Sequence, residues 1–309
     1  MRIRLRYLRW IRLVNLFVRR ASLPGFDRIP IYEVFSFFFK GIKNGALTIR
    51  ASAVAYSFFL AIFPAIIFFF TLIPHIPIPN FQAELMNTLE NLLPENVFST
   101  IRQTVEEIVT RKRFDLLSVG FFAALFFSSG GVAGLITAFN ATFHHMESRS
   151  WINKQMISLL LVFIFCALMA IAVILIIFSG SFISFLQRKE ILHNPVLISL
   201  LQNGKWIIIL VFTFLSISSL FYLAPARKQK YRFLSPGSTL ASLFVILTSV
   251  GFSAYINNFG QYNKLYGSIG TLIALLIWLF INSLVLLIGF ELNVSIKNAR
   301  INDTRANPS

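Results

Sequence analysis

Few side chains in this chain of 309 residues could do covalent or hydrolytic chemistry. It has four histidines, twelve acidic residues and a single cysteine, Cys166. His144-His145 with Glu147 is the nearest approach to a metal-ligand string. A zinc site needs three or four donors at fixed spacing, and no further donor stands in register with this one. A His-x-His-x-Asp-His zinc-hydrolase string is absent from the sequence. A two-metal nuclease would need clustered carboxylates, yet Glu84, Glu90, Glu95, Glu106 and Glu107 are scattered. No Ser-His-Asp set is apparent, and one cysteine excludes an intramolecular disulfide framework. The inventory predicts neither an enzyme nor a bound cofactor or metal.

The residues that stand out do so for another reason. They are polar or small groups set in apolar surroundings. Glu291 is the one acidic or basic residue inside an otherwise uncharged stretch near the C-terminus, accompanied by Asn282, Ser283 and Asn293. At 100° per residue, Asn282, Gly289 and Asn293 share one helix face, and Glu291 points about 180° from Asn282. Ser128-Ser129-Gly130-Gly131-Val132-Ala133-Gly134 leads to Asn140 in a second apolar stretch. Gly130 and Gly134 form a small-xxx-small pair, which permits close helix packing. The alternative is a broken helix that exposes carbonyls to a cavity. Polar groups at such depth are costly unless they face protein or water, so each is a candidate functional or structural site.

The elements that must position these residues follow from composition. Hydrophobic residues make up 56% of the chain, charged residues only 13%, and the mean hydropathy is +0.73. A soluble domain carries about 25% charged residues. A bilayer's hydrocarbon core, ~30 Å thick, needs ~20 apolar residues to span it as a helix. Six stretches free of Asp, Glu, Lys and Arg are long enough: 51–83, 116–146, 155–187, 206–226, 233–263 and 265–290. They predict an all-α polytopic membrane protein with spans near 51–73, 116–143, 156–186, 206–224, 236–257 and 267–296. Pro64 should kink the first span, because it lacks an amide and clashes with the preceding turn.

Six spans put both termini on one side, and the charges choose the side. With an internal N-terminus, the inside segments carry 20 basic and 4 acidic residues, and the outside segments 8 basic and 7 acidic. The basic excess of +16 therefore falls on the cytoplasmic face, which predicts contact with anionic lipid there. Residues 1–30, with Arg2, Arg4, Arg6, Arg9, Arg12, Arg19 and Arg20, read as a basic arm on that lipid rather than a signal peptide. Membrane topology explains the sign of the charge, so no nucleic-acid partner is expected. The sequence leaves the oligomeric state open.

Residues 31–45 are too short and too charged to span, and suit an interfacial helix. Residues 80–113 predict two amphipathic helices outside the bilayer, joined at Pro94. They would act as a packed lid or a gate. Residues 31–296 form one membrane domain, and 297–309 a cytoplasmic tail. Arg50 marks the inner end of span one and Glu291 lies near the inner end of span six. The two either pair across the spans, or Glu291 reaches water or caps local backbone.

Several landmarks carry a family resemblance: Ala51-Ser52-Ala53-Val54-Ala55-Tyr56 with Pro64, then Gly130–Asn140, Tyr266-Gly267-Ser268-Ile269-Gly270 and Gly289-Phe290-Glu291-Leu292-Asn293. In this order and spacing the chain resembles the YihY/BrkB family of bacterial inner-membrane proteins, once mislabelled as ribonuclease BN. The resemblance covers roughly residues 30–297. Phe290 stands where a small residue is usual, and Phe143 where Tyr is common. The family implies a six-span inner-membrane protein, one branch resembling a lipid exporter and another associated with virulence. Transport of a lipid or amphipathic substrate is the expectation, and a non-transporting membrane scaffold or envelope assembly factor is the alternative. On this reading Arg50, Tyr56, Pro64, Gly130, Gly131, Gly134, Asn140, Tyr266, Gly267, Gly270, Asn282, Glu291 and Asn293 are the residues to locate in the fold.

The charge asymmetry is open to a direct test. With Cys166 replaced, a cysteine at Asn96 should react with an impermeant thiol reagent in intact cells, and one at Arg227 should not. The reverse labelling would invert the topology.

Overall fold

The computed structural model describes residues 30–44, 46–72, 114–142, 149–189, 203–226, 233–257 and 260–306, with a few isolated positions between them. The basic arm and the His144-His145-Glu147 string lie outside the described residues, as does most of the 80–113 segment. Seven helices are described: α1 (Ile31–Asn44), α2 (Leu47–Leu72), α3 (Phe114–Thr142), α4 (Trp151–Arg188), α5 (Lys205–Leu223), α6 (Pro236–Asn257) and α7 (Gly260–Ala306). No strand occurs among the described residues. Six helices are long and apolar enough to cross a membrane: Leu47–Phe69, Phe114–Thr142, Trp151–Arg188, Lys205–Leu223, Pro236–Tyr255 and Leu272–Ile301. In hydrocarbon only helices or closed barrels satisfy all their backbone groups, and that is why long apolar runs adopt this form.

The chain divides into two compact units, residues 56–132 and the remainder, and the boundaries fall inside α2 and α3. In the smaller unit, α2 and α3 approach closely through glycine. A Cβ at Gly120 would stand 3.2 Å from the Phe68 backbone, and one at Gly131 would stand 2.9 Å from the Phe58 ring. The Phe68 and Phe121 rings lie 5.5 Å apart beside the first contact. Gly130 has open space around it, so Gly131 and not Gly130 makes the contact. The helix runs unbroken through Ser128–Gly134, so the alternative of a helix break there does not occur. Likewise Pro64 lies inside α2 without ending it.

In the larger unit, α4 packs on α5, α5 on α6, α6 on α7, and α7 on α1. Its centre is aromatic. Phe139 stacks on Phe290 at 4.3 Å, and Phe221 meets both rings at 5.5 Å. Edge and offset ring pairs of this kind add about 0.5–1.5 kcal/mol each beyond their buried area. Phe290 is fully buried and fills this core.

Helix α7 departs from expectation in length. Its 47 residues extend for about 70 Å at 1.5 Å per residue, more than twice a hydrocarbon core. The predicted tail from 297 is continuous with the span as far as Ala306. Tail and span do not separate because no Pro or Gly follows Gly289 until Pro308, and helix α1 packs along this end. Val34 of α1 is buried with Leu292, Ile296 and Ala299 of α7, and Phe37, Phe38 and Leu240 close the cluster.

Candidate functional site

The polar residues of the larger unit gather where α2 and α6 begin and where α3, α5 and the apolar part of α7 end. Arg50 donates from Nη1 to the carbonyl of Ala138 at 2.8 Å and to Thr142 Oγ1 at 3.0 Å. The Thr142 hydroxyl is hydrogen-bonded in turn to the Glu291 carboxylate, which also feels the positive charge of Arg50. Glu291 is only 5% exposed and Thr142 9%. Glu291 and Arg50 are therefore joined through a hydroxyl from a third helix. A buried charge with its partners removed is expensive, and here three spans supply one carboxylate, one guanidinium and one hydroxyl to satisfy each other. Thr142 carried no sequence signal, because a lone threonine at a helix end is common.

A second link joins α6 and α7. Ser235 and Ser238 cap the start of α6 reciprocally, each hydroxyl accepting from the other's backbone amide at 3.2 Å. Pro236 occupies the first helical position, where its missing amide costs nothing. Asn293 of α7 completes the cap, accepting from the Gly237 amide at 2.8 Å and donating to Ser235 Oγ at 2.9 Å. The helices cross so closely here that a Cβ at Gly237 would collide with the Gly289 carbonyl, and one at Gly289 would lie 2.7 Å from Ala241 Cβ. Asn282 faces α6 at greater depth: Thr248 donates to its Oδ1 at 3.4 Å, and its amide donates to the Trp278 carbonyl at 2.8 Å.

A third link secures the end of α5. Asn140 accepts from the Ala226 amide at 3.0 Å, and Arg149 donates to the Ala224 carbonyl. A cation on the last carbonyls of a helix also complements its dipole. Arg149 was not singled out in the sequence because it stands in a loop with other polar residues. Of the remaining candidates, Tyr56 is exposed, Pro64 and Gly134 are half-buried, and Gly270 is buried. Tyr266 and Gly267 lie on the first turns of α7, and the Tyr266 side chain lies outside the described residues.

Every one of these links lies at the same end of the spans. The arrangement holds helix ends together and satisfies buried donors and acceptors. Among the described residues no three His, Cys, Asp or Glu side chains gather as a metal site.

A family profile described as Virulence factor BrkB matches residues 38–309. The chain belongs to the BrkB family. The match extends beyond the sequence landmarks to the C-terminus, so the helical end of α7 and the three links lie in the family region. Among similar proteins, the ribonuclease-like protein YfkH of Bacillus subtilis is 28% identical over 244 residues, covering 79% of this chain and 88% of YfkH. A UPF0761 membrane protein of Mannheimia succiniciproducens is 24% identical over 274 residues, 87% of this chain and 91% of its own length. Another from Idiomarina loihiensis is 23% identical over 223 residues, 71% and 75% respectively. No solved structure matches the chain. This BrkB-family protein is a multi-pass membrane protein, with six helices among the described residues long and apolar enough to cross a membrane.

The bridge through Thr142 generates a double-mutant prediction. Glu291→Gln and Arg50→Gln should each lower thermal stability in detergent, with single losses of ~3–5 kcal/mol if the remaining charge stays dry. Because both act through Thr142, the double variant should lose less than the sum, by about 0.5–3 kcal/mol. Strictly additive losses would show that the residues do not form one unit.

Proposed function

We propose that this BrkB-family protein is a transporter-like protein of the bacterial inner membrane, with both termini cytoplasmic, that moves a lipid or another amphipathic substrate. The observation that carries the reading is where charge lies. No Asp, Glu, Lys or Arg occurs in residues 51–72, 116–142, 155–187, 206–226, 233–257 or 265–290. A chain of titratable carboxylates or histidines, as proton-coupled pumps use, has no residues to be built from at mid-membrane. Glu291, the acid nearest to that depth, is engaged by Thr142 and Arg50. A pathway lined by these spans would be apolar, with a polar, structured cytoplasmic end, and that suits a substrate with an acyl body and a polar head. The ribonuclease-like name belongs to YfkH. Hydrolysis is not favoured here, because the sequence supplies no ligand string for it.

The second reading is a membrane scaffold without transport. The three polar links favour it, because they bind the helix ends into a rigid frame. Reconstitution separates the two. Proteoliposomes loaded with a fluorescent phospholipid should expose it to an impermeant quencher on the far leaflet faster than protein-free liposomes do. Equal rates across several headgroups, with folded protein verified, would favour the scaffold.

A further inference from the structure

Helix α1 has two apolar sides with different surroundings. One side, Val34 with Phe37 and Phe38, is packed on α7. On the other, Phe35 is 40% exposed, Phe39 63% and Tyr32 47%. At 100° per residue these three fall within an arc of about 60°, and Val34 and Phe39 are about 140° apart round the helix. Phe35 and Phe39 lie 6.2 Å apart, and both rings pair with Phe38 on the same helix. Lys40 is exposed on the flank of this stripe. Only Gly45 and Ala46 separate α1 from α2, whose apolar span starts at Leu47. The C-terminal end of α1 is therefore within two residues of the start of the first helix able to cross a membrane.

We propose that this face of α1 is a docking surface for anionic phospholipid, with Phe35, Phe39 and Tyr32 set among the upper acyl chains and Lys40 at the headgroups. Aromatic rings favour this depth, and a lysine beside them keeps its ammonium in the polar layer while its stem lies on apolar surface. The sign of the lipid charge follows from the flank. Residues 1–50 carry eleven basic and two acidic residues, a complement to an anionic leaflet and a mismatch for a neutral one. The same helix grips α7 at Leu292 and Ile296, on either side of Asn293, so lipid bound to α1 bears on the end of α7 that carries the polar links. This inference is independent of any transport activity.

The test uses the full-length protein with Cys166→Ser and a nitroxide label at Phe39→Cys, in nanodiscs with and without phosphatidylglycerol in phosphatidylcholine. A second label at Ser36→Cys serves as the polar-flank control. Power saturation should show the position-39 label accessible to oxygen and shielded from a water-soluble nickel chelate in the anionic discs, with position 36 nearer the water. Each near-surface cation contributes about 1 kcal/mol to anionic-lipid binding, a factor of about five. Lys40→Gln should therefore raise the phosphatidylglycerol fraction needed for half-maximal shielding by up to about fivefold. Nickel accessibility at position 39 in anionic discs would overturn the proposal. Equal shielding in pure phosphatidylcholine would overturn the choice of anionic lipid. Shielding from both reagents, with spin–spin broadening between labels, would assign the face to a second copy of the chain.

Discussion

A charge taken out of water must be met by other polar groups, and the larger unit is organised around one such meeting. Glu291 is buried directly after residues 265–290, a run of α7 without Asp, Glu, Lys or Arg. Arg50 reaches it through Thr142, and on the way satisfies the carbonyl of Ala138. The first, second and last spans are thereby committed to one register. A shift of α7 by a single residue would turn Glu291 by about 100°, away from Thr142, and would also take Asn293 off the start of α6. Glu291 and Asn293 sit two residues apart on different faces, so the two links check each other.

The same logic explains why the polar links lie at one end. Helix ends leave backbone amides and carbonyls without intrahelical partners, and in a membrane protein these ends lie near the interface, where water competes poorly with fixed side chains. Asn293 caps α6, Arg149 and Asn140 hold the end of α5, and Arg50 holds a carbonyl near the end of α3. Beside these links contact is largely apolar or glycine-mediated, with Asn282 and Thr248 a further polar contact farther along α6 and α7. The Phe139–Phe221–Phe290 cluster fills space, and Gly237 and Gly289 remove it so that α6 and α7 can touch.

Much of this was legible beforehand, and the reasons differ by residue. Six spans follow from uninterrupted apolar runs, a signal that needs no tertiary information. Asn282, Gly289 and Asn293 share a face by periodicity alone, and that face meets α6. Periodicity also points Glu291 away from them. Thr142 and Arg149 were not legible, because their importance comes from what other helices bring to them. Gly130 and Gly131 could not be told apart by type. Only the position of Phe58 makes one a contact and leaves the other open. Charge reappears at Lys297, yet charge does not end a helix, and α7 runs on with α1 covering its apolar side through Ala299.

The register of the first, second and last spans rests on Arg50, Thr142 and Glu291 meeting inside the assembled protein. The most direct measurement is an experimental structure in lipid nanodiscs, by electron cryo-microscopy with a bound antibody fragment to add mass. Density for Thr142 Oγ1 within hydrogen-bonding distance of both the Arg50 guanidinium and the Glu291 carboxylate is the result predicted here. Glu291 turned to lipid or water, with its carboxylate more than about 8 Å from the guanidinium and therefore well beyond the ~4 Å of a direct ion pair, would contradict it.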